Sequence, residues 1–369
     1  MNALFMRGAR VACCVLVLPF RDSMAQTGAY PNNATTCEQC HSVPSNFGSS
    51  QLTVQRAGRW ENRRYVPVVE GGIVHRHGDS TQGKILEKGI VGERVSVNLL
   101  GDGFIEAIAD ADLRRIADEQ RVGKTGIAGI LAEAPVLESN SASETRLGRF
   151  GWKNQHSSLM SASADSLRNE LGIRNQLYPD EYASHNPSDG PTPFDQAGPK
   201  TERTELERLV EEIRHTAPIP RDEQLSASSD ARVGEKLFSE IGCALCHVST
   251  YKTLPPGTLI NGGQYRVPDF IGGKTIHPYS DFLLHDVGTG DNIPQAAKPE
   301  YLDPLTANEF RTAPLWGLRF RSWMMHDGKS VTYHQAIERH GGEASRVRDR
   351  YERLAPVQKG QLQAFLNSL

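Results

Sequence analysis

The stretch Asp230-Ala231-Arg232-Val233-Gly234-Glu235-Lys236-Leu237-Phe238-Ser239-Glu240-Ile241-Gly242-Cys243-Ala244-Leu245-Cys246-His247 decides the fold of this chain. Asp230 suits a helix N-cap. Val233, Leu237 and Ile241 recur at helical spacing with Phe238 beside them, so a helix is predicted over 231–241. Gly242 stops it. Two cysteines and a histidine follow at once, in the Cys-x-x-Cys-His spacing that attaches a c-type haem. The two thiols add to the haem vinyl groups, and the adjacent histidine is placed to bind iron from one face.

The same pentapeptide pattern occurs at Cys37-Glu38-Gln39-Cys40-His41. Of the six cysteines, Cys13 and Cys14 lie near the start and the other four fill the two motifs. Two disulfides would not explain the histidine after each pair, and zinc would want four ligands gathered in one site. The reading is therefore two covalent haems, with His41 and His247 as axial ligands. No further cysteine remains for a sixth ligand, so histidine, methionine, tyrosine, lysine or an open position completes each iron.

Outward from the motifs, residues 1–25 read as a secretion signal. Arg7 and Arg10 precede an apolar run from Val11 to Phe20, and Ser23 and Ala25 are small residues at the cleavage positions. The run is too short to span a bilayer, so a periplasmic protein with no integral membrane segment after signal removal is expected. The formal charge of -3 becomes more negative without the leader, which speaks against a nucleic-acid partner. The 369 residues leave room for two or three domains, and 38% hydrophobic content with 34 glycines and 21 prolines favours loops. A second helix over 356–369 would cross the first beside the haem. Helices are also predicted over 110–120, 161–171 and 202–215, a short strand over 94–100, and a surface loop over 178–200. The expected fold is mainly α: two cytochrome c-like haem domains with long loops, divided as 26–225, including a linker, and 226–369.

Several stretches resemble one bacterial family, the di-haem oxidoreductases, also called thiol oxidoreductases, which are related to the di-haem cytochrome c peroxidases and the methylamine dehydrogenase maturase. The carrying stretches are Gly71-Gly72-Ile73-Val74-His75, Gly103-Phe104-Ile105-Glu106-Ala107-Ile108, Gly148-Arg149-Phe150-Gly151-Trp152-Lys153 and Glu170-Leu171-Gly172-Ile173. They continue with Tyr279-Ser280-Asp281-Phe282-Leu283-Leu284-His285-Asp286, Phe310-Arg311-Thr312-Ala313-Pro314-Leu315-Trp316-Gly317-Leu318, His326-Asp327-Gly328 and His340-Gly341-Gly342-Glu343-Ala344. The resemblance implies that the C-terminal iron takes its sixth ligand from the helix after the His-Asp-Gly turn, where this chain has His340. Met324 and Met325 are rivals, and His340 as a mere helix cap is the bland alternative. The family also has a histidine at the position of His75, as iron ligand, as pocket acid/base or as a surface residue.

Peroxide cleavage would need an open iron position and a group to move a proton. Glu106, in an apolar segment where an unpaired carboxylate is costly, is the candidate beside His75. A buried pair with Arg94 or Arg114 is the structural alternative, and His285 with Asp286 is a second candidate pair. Trp152 or Trp316 could bridge the haems. Asp281, Asp286 and Asp291 could hold a calcium ion, although no loop has a recognisable calcium spacing. The expected function is a peroxidase-like oxidoreductase passing electrons between two haems, with a small cytochrome or cupredoxin as partner. The alternatives are an electron-transfer cytochrome with both irons six-coordinate and a haem-based sensor. Dithiol exchange is discounted, because the two cysteines outside the motifs, Cys13 and Cys14, are expected to leave with the signal.

Overall fold

The computed structural model describes residues 37, 40–50, 52–67, 73–74, 89–171, 175–178 and 203–369. The leader, His75, and nearly all of the predicted loop over 178–200 lie outside the described residues.

The N-terminal half is built on strands that the sequence pattern did not announce. Strand β1 (Thr53–Glu61) is the centre of an antiparallel sheet, pairing with β2 (Arg64–Pro67), β3 (Ile73–Val74) and β4 (Ile90–Val95). Asn62 and Arg63 make the two-residue turn from β1 to β2 at φ 50° and 67°. Left-handed backbone at both turn positions matches the twist of the flanking strands. The strand predicted over 94–100 is thus displaced: β4 ends at Val95, and residues 96–99 run on to a main-chain bond from Leu99 N–H to Phe47 O (2.9 Å).

Four helices follow: α1 (Asp102–Glu106), α2 (Asp110–Val122), α3 (Leu159–Leu171) and α4 (Glu205–Arg214). The last starts at a capping box: Thr204 Oγ1 accepts from Glu207 N–H (3.2 Å), and the Glu207 carboxylate accepts from Thr204 N–H (2.7 Å). It buries Leu206, Leu209, Val210 and Ile213, the stripe read from the sequence. These residues join Ile105, Ile108, Leu113 and Leu167 in a core that also takes in Tyr251, Phe282 and Trp316 from the C-terminal half. A short hairpin of β5 (Glu133–Pro135) and β6 (Thr145–Leu147) lies between α2 and α3.

Beyond the Pro218 and Pro220 stop, a short helix α5 (Glu223–Ser226) interrupts what reads as linker. The predicted helix α6 runs Ser229–Ile241, capped by Ser228, whose Oγ accepts from Ala231 N–H (3.2 Å), and not by Asp230. Gly242 ends it at φ 103°, where glycine alone is unstrained. Val233 faces out at 39% exposure, and Gly234 takes the buried place in the stripe with Leu237, Phe238 and Ile241. Small strand pairs follow: β7 (Tyr251–Lys252), β8 (Leu259–Ile260), β9 (Tyr265–Arg266), β10 (Thr275–Ile276), β11 (Leu284–His285) and β12 (Phe310–Arg311), joined as β7 with β10, β8 with β9 and β11 with β12. Helices α7 (Tyr333–Glu338), α8 (Ser345–Glu352) and α9 (Pro356–Leu366) complete the half.

Helix α9 crosses α6 so closely that a Cβ on Gly234 would lie 2.0 Å from Gln361 O. The crossing buries Leu362, Phe365 and Leu366 against Phe238 and Ile241, with the Phe238 and Phe365 rings 5.2 Å apart. The crossing expected of a cytochrome c is present, but the class is not mainly α. The described residues are 35% helical and 16% strand, a mixed α/β architecture. The physical reason is that the glycine- and proline-rich segments pair as hairpins and short ladders instead of running as bare loops. No helix of the described residues is long and apolar enough to cross a membrane.

Candidate haem sites

Both pentapeptides fold the same turn. Cys40 N–H and His41 N–H donate to Cys37 O at 3.1 and 2.8 Å, and Cys246 N–H and His247 N–H donate to Cys243 O at 3.3 and 2.9 Å. Each histidine is then fixed by its Nδ1. His41 Nδ1 donates to Gly48 O (3.1 Å), and His247 Nδ1 donates to Tyr279 O (3.0 Å). A main-chain acceptor on Nδ1 sets the tautomer and leaves the Nε2 lone pair for a metal. Burial pushes His247 down to about 4, with His340 nearby adding to the effect, and burial also lowers His41. The rings are therefore neutral at neutral pH, as ligation requires. The four motif cysteines form no disulfide.

The second motif opens onto a cavity of about 200 Å³ that is partly open to solvent. Its wall includes Cys243, Cys246, His247 and the apolar side chains Phe238, Leu315, Leu318, Ile337, Val347 and Leu362. His340 lines it too. Its Nδ1 donates to Ala336 O (2.7 Å) in α7, so His340, just past the end of that helix, repeats the device of His247. Met324, Met325 and His326 share the wall. His326, which sequence reading used only as a marker, stacks on Phe310 at 3.6 Å and is held near 4 chiefly by burial.

Trp152 lines the same cavity, whereas Trp316 is packed in the N-terminal core. The Trp152 indole donates to Val95 O (2.6 Å), and His41 accepts the company of a second carbonyl, that of Val97, on the segment that leaves β4. A single extended stretch of backbone thus touches the cavity wall at Val95 and the first motif at Val97.

Glu106 is not free. It is fully buried, and both of its oxygens are taken: Arg214 donates at 2.7 and 3.1 Å, Leu159 N–H at 2.9 Å and Asn261 at 2.9 Å. Burial alone would raise its carboxyl, but the Arg214 guanidinium holds it below the usual range. The partner is neither of the arginines expected, since Arg94 pairs with Asp291 (2.7 Å) and Arg114 with Glu133 (2.7 Å). His285 is not paired with Asp286 either. Its ring bridges Asp281 (2.8 Å) and Glu343 (3.0 Å); burial would lower its pKa, but the two carboxylates hold it well above the usual range. Asp281, Asp286 and Asp291 are not pooled: they serve His285, Gly288 N–H and Arg94 respectively. The grouping of metal-ligand type among the described residues is Cys246, Asp281 and His285, beside the second motif.

A carboxyl that the sequence reading quotes within a family stretch but gives no role stands near the first motif. Glu170 is near enough to Cys40 for its charge to raise that thiol, which burial chiefly pushes to about 11. Burial also pushes Glu170 itself up to about 7. Only its neighbours in space reveal this, because Glu170 sits 130 residues beyond the motif in a polar helix end.

Paired imidazoles across an apolar cavity beside a Cys-x-x-Cys-His turn define a haem-binding protein. The chain belongs to the di-haem oxidoreductase family, whose model, described as "Di-haem oxidoreductase, putative peroxidase", matches residues 42–369. No curated protein matches it. Among solved structures it is similar to a chain of Kuenenia stuttgartiensis hydrazine synthase pressurised with xenon, at 20% identity and a TM-score of 0.27, over 44% of this chain and 55% of that one. The chain therefore spans about half the length of the solved chain it matches.

Proposed function

We propose that this protein is a periplasmic di-haem c-type cytochrome with peroxidase-type activity. One haem would be bound covalently by Cys37 and Cys40 with His41, the other by Cys243 and Cys246 with His247, in units corresponding to 26–225 and 226–369. The observation that carries the reading is the identical turn at both motifs, each aiming an Nδ1-anchored imidazole. When bound, the haems supply one-electron chemistry and, at an open iron position, peroxide cleavage.

The chain's own residues divide the work. His247 and His340 present two Nε2 lone pairs to the second cavity, and bis-histidine ligation favours electron transfer there. Trp152, Val95, Ser96 and Val97 offer a continuous covalent and hydrogen-bonded route from that cavity to His41. Near the first motif, Glu170 can hold or release a proton at neutral pH, the property that proton delivery to peroxide requires. Glu106 is assigned a structural role, since a carboxylate with every acceptor site occupied has neither a proton to give nor room to take one. A small cytochrome or cupredoxin would exchange electrons with the protein.

Electron paramagnetic resonance of the oxidised protein tests the reading, with and without peroxide. One low-spin bis-histidine signal and a second iron that responds to peroxide are expected. Two low-spin irons that ignore peroxide would leave only electron transfer. Trp152→Phe should slow reduction of the first haem through the second without altering either resting spectrum.

A further inference from the structure

Four buried guanidiniums among the described residues have acids in range. Arg94 has Asp291, Arg149 has Asp110 and Arg214 has Glu106. Arg311 has Asp102 in range and donates from Nε to Gly151 O at 2.8 Å. Arg321 has none among the described residues: its Nε is buried without a hydrogen-bond partner, and burial alone pushes its pKa down to about 10. Arg321 lines the second cavity together with Arg311, close enough for the two positive charges to repel. Arg348, also on the wall, is offset by Asp349 at 3.0 Å and Glu352 at 3.6 Å, and His285 by its two carboxylates. Arg321 is half-buried and forms part of the cavity wall. Once the cavity is filled, an uncompensated cation is enclosed there, and that arrangement is costly unless the occupant brings the anion.

We propose that Arg321 is the anion-binding group of the second cavity and takes a carboxylate, that of a propionate arm of the bound haem. The inference rests on the haem reading above and adds the residue that seats the cofactor's acidic edge. The planar guanidinium fork matches a carboxylate with two parallel N–H bonds, and Arg311 adds positive potential at the same wall. The pair keeps the propionate ionised across neutral pH.

The test is the reduction potential of the second haem in wild type, R321K and R321Q, measured by spectroelectrochemistry from about pH 5 to about pH 9, a window above the range of free carboxyls that covers a raised one. Haem adducts are counted by intact mass in each sample. With two adducts present, wild type is expected to have a potential nearly independent of pH above about pH 6. R321Q should have a lower potential that gains a pH-dependent step near neutrality, because the unpaired buried propionate now takes up a proton on reduction. R321K should restore most of the wild-type profile; it also carries the test if R321Q fails to mature. A profile in R321Q like that of wild type overturns the proposal, as does R321K behaving unlike wild type when R321Q cannot be made. A potential that tracks added acetate in wild type and loses that response in R321Q would assign Arg321 to a diffusing carboxylate, which also overturns it. Fewer than two adducts in wild type would instead sink the haem reading itself.

Discussion

The two haem motifs fold one turn in two different settings. At residues 243–247 the turn follows the end of a helix: Gly242 caps α6, α9 crosses behind it, and a second histidine just past α7 stands on the cavity wall. At residues 37–41 the turn is tied instead to loop carbonyls at Gly48 and Val97, beside the edge of a sheet. The pentapeptide dictates its own hydrogen bonds, whatever surrounds it. On the proposed reading, the surroundings would decide what else can reach each iron, and hence whether a site carries electrons or reacts.

Four experiments press on that contrast. The largest effect is expected from the cysteines. Cys243→Ala with Cys246→Ala should abolish one haem adduct by mass and leave the other, and Cys37→Ala with Cys40→Ala should do the converse. Loss of both adducts from either variant would mean that the settings are not independent. Next, His340→Ala should convert one low-spin iron to high-spin, while the signal of the other stays put. An unchanged spectrum would remove His340 from the ligand set and bring Met324 or Met325 forward.

Third, Glu106→Gln leaves Arg214 buried and unpaired, and should cost about 3–5 kcal/mol of unfolding free energy while the folded fraction keeps its peroxide response. Loss of that response at full stability would restore Glu106 to the chemistry. The pair also sets a pH dependence. Because the folded carboxyl lies below its unfolded value of about 4.3, its stabilisation is complete above that pH and is lost as pH falls through the folded value. Thermal melts of wild type should therefore drop in acid, and those of Glu106→Gln should drop less. The smallest effect is expected from Gly234→Ala, whose Cβ meets the Gln361 main chain and should cost about 1–3 kcal/mol. A neutral result would mean that the α6–α9 crossing relaxes freely.

The parts legible in the sequence were those whose cause is local. Both pentapeptides, the stop at Gly242 and the stripe of α4 each lie within a few residues, and each was read. The β1 sheet was not, because its buried run Arg56-Ala57-Gly58 does not alternate and its turn is Asn62-Arg63 without a glycine. Placing α6 correctly but orienting it by Val233 has a similar origin: glycine looks like an absence of signal, yet Gly234 is what the crossing helix touches. The role of Glu106 was hidden by distance along the chain, since Arg214 lies 108 residues away. Arg321 reads as one more surface arginine until a cavity is drawn around it.

The main-chain hydrogen bonds that shape the turn from Gly242 to His247 run between its own residues, to Gly242 O and Cys243 O. Its walls at Met324, His340 and Leu362 all come later in the chain. If the proposed covalent attachment holds, a chain newly delivered to the periplasm would present this turn to an attachment enzyme before the later segments enclose it. Docking of Leu362 and Leu366 would then close the wall behind the bound group, so attachment would have to come first.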